Sequence, residues 1–223
     1  MQERLQAPTP DGWQLSFRRV RGDGPPVLLV PGFAMNSFIL GFHPSGPSLM
    51  DYLAGQGLDV WAVDLRGQGA NQRGRRTAIG LAERALIDLP AALRHVRRVT
   101  GADRVHLVGC SLGGTLVYTL LAHEPMAQVG RVVAIGAPLT WANPNPLVRA
   151  FGLASPMVGR VPIRGSRRAA RLALPVLTRV APRLLGIYMN PDNIDLARID
   201  EIVQTVEDPA PRIVRQLGAW IRH

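Results

Sequence analysis

Four short, almost wholly apolar runs constrain this chain more than any other feature: Val27–Val30, Val60–Val63, Val105–Val108 and Val132–Ile135. A strand that is apolar on both faces must be covered on both faces, which is the situation of a strand inside a parallel sheet. The segments between the runs read as helices. Leu49 to Ala54 is closed by Gly55 and Gly57, and Leu112 to about His123 follows the third run. A helix to about Val99 has Asp88 as its expected N-cap, Pro90 in its first turn and Gly101 just past its end. An earlier strand, Trp13 to Val20, follows an Asp11-Gly12 turn. Strands alternating with helices give an α/β fold, with a mostly parallel sheet and helices on both faces.

In such sheets, sites form where the C-terminal ends of strands meet their loops. The loops at 31–37, 64–71 and 109–113 each follow a strand and are expected on one rim. The last of them carries Gly109-Cys110-Ser111-Leu112-Gly113, a G-x-S-x-G pattern between a strand and a helix, with a further glycine at 114. A sharp turn there strains the serine and lifts its hydroxyl to a helix N-terminus, and the flanking glycines relieve the crowding. Cys110 is intrinsically the better nucleophile. Only Ser111, however, has glycine two residues away on both sides, so Cys110 is expected to be a small buried neighbour.

Two further turns complete a pattern. Leu28-Leu-Val-Pro-Gly-Phe-Ala-Met35 ends a strand in Pro-Gly, and Asp64-Leu-Arg-Gly-Gln-Gly69 fits D-x-R-G-x-G. In this order and spacing the three elements resemble the α/β-hydrolase core of serine esterases and lipases and, more distantly, polyhydroxyalkanoate synthases, which carry cysteine where this chain has Ser111. The resemblance covers about residues 11–138. It implies Ser111 as nucleophile and an oxyanion hole made by the backbone N–H groups of Phe33 and Leu112, with Pro31 standing where the family has histidine. Asp64 is implied to be structural, bonding local backbone amides. The implied reaction is acyl transfer from a carboxylic ester, with no cofactor.

The rest of the chain fits the family less well. Residues 1–138 read as the core and 139–223 as a helical cap, in which Pro144, Pro146, Pro156, Pro162, Pro175 and Pro182 separate short helices. Ile194–Val206 and Arg212–Ile221 look helical. The family's acid and histidine follow later strands, and neither a strand–Asp loop nor a strand–His loop is legible after Ser111. Asp192, Asp195, Asp200 and Asp208 read as caps and solvated charges. His106 reads as structural, His95 as exposed among arginines and His123 as a helix end. His43, on the right rim, and His223, the final residue, are the remaining candidates for a base. Two readings stay open: a serine esterase present as an incomplete chain, whose Val132–Ile135 becomes an edge strand, and a non-catalytic binding protein of the same fold.

Composition narrows the partners. The formal charge is +10, carried entirely by arginine. These arginines form clusters (Arg73, Arg75 and Arg76; Arg164, Arg167, Arg168 and Arg171) without interleaved aromatics, so nucleic acid is not an expected partner. Instead the basic, apolar stretch 160–185 points to a hydrophobic acyl substrate, and to contact with an anionic lipid surface or, equally, an ordinary soluble lid. One cysteine, a polar N-terminus unlike a signal peptide and no apolar run of membrane-spanning length point to the cytoplasm. No His/Cys/acid cluster suggests a metal.

Overall fold

The computed structural model describes residues 2–69, 71, 79–123, 128–186, 190 and 194–222. Its centre is a six-stranded sheet in the order β1-β2-β4-β3-β5-β6. The four apolar runs are its parallel strands: β3 (Pro26–Val30), β4 (Asp59–Asp64), β5 (Val105–Cys110) and β6 (Val129–Ile135). Every residue of β3 and β4 is buried, as strands covered on both faces require.

Two antiparallel strands extend one side of the sheet. β2 (Gln14–Val20) pairs with β4, and β1 (Glu3–Pro8) pairs with β2. β1 was not legible in sequence because only Leu5 and Ala7 of its six residues are apolar, and the edge strand leaves the other face to water. At the opposite edge lies β6, with Val133 and Ile135 about half exposed (52% and 49%).

Helix α1 (Leu49–Gly55) begins in a capping box between Ser48 and Asp51. The next helical stretch corrects the sequence reading. It opens at α2 (Leu81–Glu83), passes through a π turn at Arg84–Asp88 and runs on as α3 (Leu89–Thr100), ending on Gly101 in the left-handed region. Asp88 therefore lies inside helix and makes no cap bond. Its carboxylate is taken by the buried Arg66, which donates from Nε (2.9 Å), Nη2 (2.7 Å) and its backbone N–H (2.9 Å). A buried guanidinium outcompetes helix amides for a carboxylate. His95 is a second correction. It is buried rather than exposed, its ring stacked on Phe17 at 4.9 Å and edge-on to Trp61, and burial lowers its pKa.

Helix α4 (Leu112–His123) packs on β5, and the described residues after β6 form helices and short turns joined by irregular stretches, with no further strand of the sheet. α5 (Pro146–Val158) and α9 (Pro211–Arg222) lie against each other, and α6 (Ser166–Val180), α7 (Pro182–Leu185) and α8 (Ile199–Ile202) form a smaller cluster around Leu174, Leu185 and Val203. Ile194–Val206 is not one helix but short turns, Leu196–Arg198, α8 and Val203–Thr205. Pro146 and Pro182 start helices as expected, yet Pro156 and Pro175 sit inside α5 and α6. At Pro156 the reason is visible. Its ring removes the N–H that would bond Gly152 O, and that carbonyl instead accepts from Ser155 Oγ at 2.8 Å and from Arg222. Among the described residues no helix is long and apolar enough to cross a membrane. The arginines at 73, 75 and 76 lie outside the described residues.

Candidate active site

β5 and α4 meet at Ser111, which adopts φ +50°, one of two non-glycine residues with positive φ among those described. An L-residue held there costs on the order of 1–3 kcal/mol and persists only where its surroundings enforce it. The enforcing contacts run from Ser111 N to Ile135 O (2.8 Å) and from Gly114 N back to Ser111 O (2.9 Å). Glycine is obligatory on both sides. A Cβ on Gly109 would lie 2.4 Å from Gly114 Cα, and one on Gly113 would lie 2.3 Å from Val30 O. The turn thus projects Ser111 into the open at the start of α4, and the residue is exposed.

Pro31-Gly32-Phe33 runs directly past it. A Cβ added to Gly32 would sit 3.3 Å from Ser111 Cβ and 3.8 Å from its Oγ. Among the described residues, no group accepts from the backbone N–H of Phe33 or from that of Leu112, the first residue of α4. The Phe33 ring, one residue after Gly32, meets Phe151 of α5 edge to face at 6.1 Å.

Asp64 lies on the same rim, but its partners differ from those expected. It reaches out of its own turn to accept from Ser37 N (2.5 Å) in the loop after β3 and from Ser16 Oγ (3.2 Å) on β2. Its own turn closes over the carboxylate at Gly69, at positive φ, where an added Cβ would lie 2.3 Å from Asp64 Oδ2. Burial pushes the Asp64 pKa up, and the Ser37 bonds partly offset this. Cys110 is half-buried, and burial raises its thiol pKa, the opposite of what a thiolate nucleophile needs.

Among the described residues no histidine or carboxylate hydrogen-bonds Ser111 Oγ. His43 is exposed, and its Nδ1 accepts from Ser45 N in its own turn (3.2 Å). His106 is structural, accepting from Arg131 N (2.9 Å), and His123 bonds Thr119 O one turn back. Asp195 caps a turn by accepting from Ala197 N, Asp200 pairs with Arg171, and Asp208 accepts from Gly165 N and Ser166 N at the start of α6. Asp192 and His223 lie outside the described residues. No group of three or more metal-ligating side chains occurs among the described residues.

The model of the α/β hydrolase fold family matches residues 25–162, which span the elbow, the Pro-Gly loop and the D-x-R-G-x-G turn. The chain belongs to the α/β-hydrolase family. This hydrolase-fold chain is 32% identical to Lipase 1 of Drosophila melanogaster over 161 residues, 65% of this chain and 36% of that protein. It is 27% identical to Triacylglycerol lipase 2 of Arabidopsis thaliana, over 60% of this chain and 37% of that protein. It thus spans little more than a third of the length of these curated relatives. An α/β hydrolase from Novosphingobium aromaticivorans superposes with a TM-score of 0.60 at 21% identity, covering 95% of this chain and 70% of that one, and shares the fold.

Two residues that bond the loop after Phe33 were missed in sequence: the buried Glu207, and Asn36, whose amide donates to it. Their partners are too distant along the chain for any local pattern to reveal them.

Proposed function

We propose that this chain carries the nucleophile of a serine hydrolase of esterase or lipase type, acting by acyl transfer on a carboxylic ester. One observation carries the reading: Ser111 is held at φ +50° between obligatory glycines, with the Pro31–Phe33 backbone passing beside its side chain. Ser111 Oγ attacks the ester carbonyl, and the N–H groups of Phe33 and Leu112 receive the developing oxyanion. Such preorganised donors each contribute about 2.7–4 kcal/mol to comparable transition states. The alcohol departs with a proton, and water then releases the acid from the acyl-serine. The Phe33–Phe151 ring pair and the lipase relatives favour a hydrophobic acyl group.

Residues 139–223 are assigned as a cap over this rim. A fluorophosphonate probe tests the nucleophile. Slow labelling on prolonged incubation is expected, disappearing in Ser111→Ala and persisting in Cys110→Ala; the reverse pattern excludes Ser111. A non-catalytic binding protein of the same fold is the second reading, favoured by the absence of any described histidine on Ser111 Oγ, and it predicts no labelling at all.

Contact with an anionic lipid surface is favoured by α6. Leu172, Val176 and Val180 are exposed at i, i+4 and i+8, beside the exposed Arg168, Arg171 and Arg179. Apolar burial with flanking cations is how helices hold to such surfaces. The chain is expected to co-sediment with phosphatidylcholine vesicles containing phosphatidylglycerol several-fold more than with phosphatidylcholine alone. Leu172→Asp with Val176→Asp should remove the difference. Equal sedimentation with both vesicles refutes the surface contact.

A further inference from the structure

We infer that Glu207 is a positioning residue for the oxyanion loop, acting through Asn36 to fix where the Phe33 N–H points. The inference rests on acyl transfer at Ser111 and names a residue that makes the site competent from outside it.

The loop from Pro31 to Asn36 is irregular, and Ala34 within it is the second described non-glycine residue at positive φ (+53°). Left alone, such a segment would relax. It is held by the segment preceding α9. Glu207 N donates to Ala34 O (2.8 Å) and Asn36 N to Thr205 O (3.1 Å), which makes a short antiparallel bridge between Met35 and Val206. The side chains then lock this bridge. Asn36 Nδ2 donates to Glu207 Oε1 (2.5 Å) and to Gln204 O (2.8 Å), while Asn36 Oδ1 accepts from Phe38 N (2.9 Å).

Glu207 is only 5% exposed. Besides Asn36, its carboxylate receives Gly69 N (3.3 Å) from the turn after β4 and Arg167 (3.4 Å) from the first turn of α6. One buried carboxylate therefore ties together the loop beside Ser111, the D-x-R-G-x-G turn and the helical segment. Charge-assisted bonds of this kind are roughly twice as strong as neutral ones. Gln68 Nε2 supports the same loop at Met35 O (2.7 Å), but from the side of its own turn. Removing Glu207 leaves Asn36 and Gly69 without their charged acceptor and lets Ala34 relax, and Phe33 is its immediate neighbour.

Two readouts on the intact chain test this. The first is the rate constant for fluorophosphonate modification of Ser111. Misplacing a reacting or stabilising group by about 1 Å can cost about 10²-fold, so Glu207→Ala is expected to slow modification by about tenfold or more. Glu207→Gln removes the charge but keeps an acceptor for Asn36 and is expected to retain most of the rate, which separates the lost acceptor from the lost charge. Asn36→Ala, which leaves the carboxylate with Gly69 and Arg167, should slow it similarly, and the double variant should be no slower than either single one. The second readout is amide hydrogen exchange. Protection at Phe33–Ser37 should fall in Glu207→Ala while α3 and β5 keep theirs. Unchanged modification and unchanged loop exchange in Glu207→Ala overturn the inference, as does exchange that rises equally throughout the core. If the unaltered chain is not modified at Ser111, the acyl-transfer reading falls, and the exchange pattern alone decides whether Glu207 holds the loop.

Discussion

The 223-residue chain is expected to turn over p-nitrophenyl butyrate at about 10⁻³ per second or less, against a median near 10 per second for enzymes generally. A serine hydroxyl remains protonated near neutral pH and becomes a useful nucleophile only with a base to take its proton. In serine hydrolases, losing the histidine costs up to about 10⁶-fold, and what remains comes from the oxyanion hole and substrate binding. Here Ser111 is held at φ +50° in its elbow and the N–H groups of Phe33 and Leu112 are the proposed donors, while His43 accepts from Ser45 N and no described histidine bonds Ser111 Oγ. The expected residual activity is therefore small but sensitive to Ser111. A Ser111-dependent rate of several per second would contradict this, and His43→Ala and His223→Ala would then identify the base.

The second large effect is on stability. Asp88→Ala is expected to lower the unfolding free energy by about 3–5 kcal/mol, the usual consequence of leaving a buried charge unpaired. Asp88 is fully buried and accepts three bonds from Arg66, itself fully buried. Arg84, also buried, donates to Arg66 O, and its pKa is pushed down to about 10 by burial. Without Asp88, two cations lie side by side, with Asp11 at the surface end of Arg66 and Glu207 near Arg84 as remaining counter-charges. Removing a residue of the π turn affects helix propensity by only a few tenths of a kcal/mol, too little to compensate. Urea titration measures the change, and a loss under about 1 kcal/mol would show that the Asp88 carboxylate is not what holds the arginines.

These two cases mark what sequence reveals in this chain. The parallel strands β3 to β6 were legible because double-sided burial leaves an unbroken apolar run. The elbow was legible because Ser111 needs glycine at two fixed offsets. Most of what failed at single residues depends on partners far along the chain. Asp88 looks like a helix cap until Arg66, 22 residues away, takes its carboxylate. His95 sits among arginines in sequence, yet its ring is stacked on Phe17 of β2. Pro156 looks like a break until Ser155 and Arg222 satisfy the carbonyl it leaves free. Glu207 reaches Asn36 across 171 positions, and no short motif encodes such a contact.

The central claim is that Ser111 is the nucleophile, and site mapping of a fluorophosphonate adduct tests it most directly. After prolonged incubation and trypsin digestion, the peptide from Val105 to Arg131 contains both Cys110 and Ser111. Fragmentation is expected to place the phosphonyl mass on Ser111, with no adduct on this peptide in Ser111→Ala. An adduct on Cys110, or one that survives Ser111→Ala, would contradict the account.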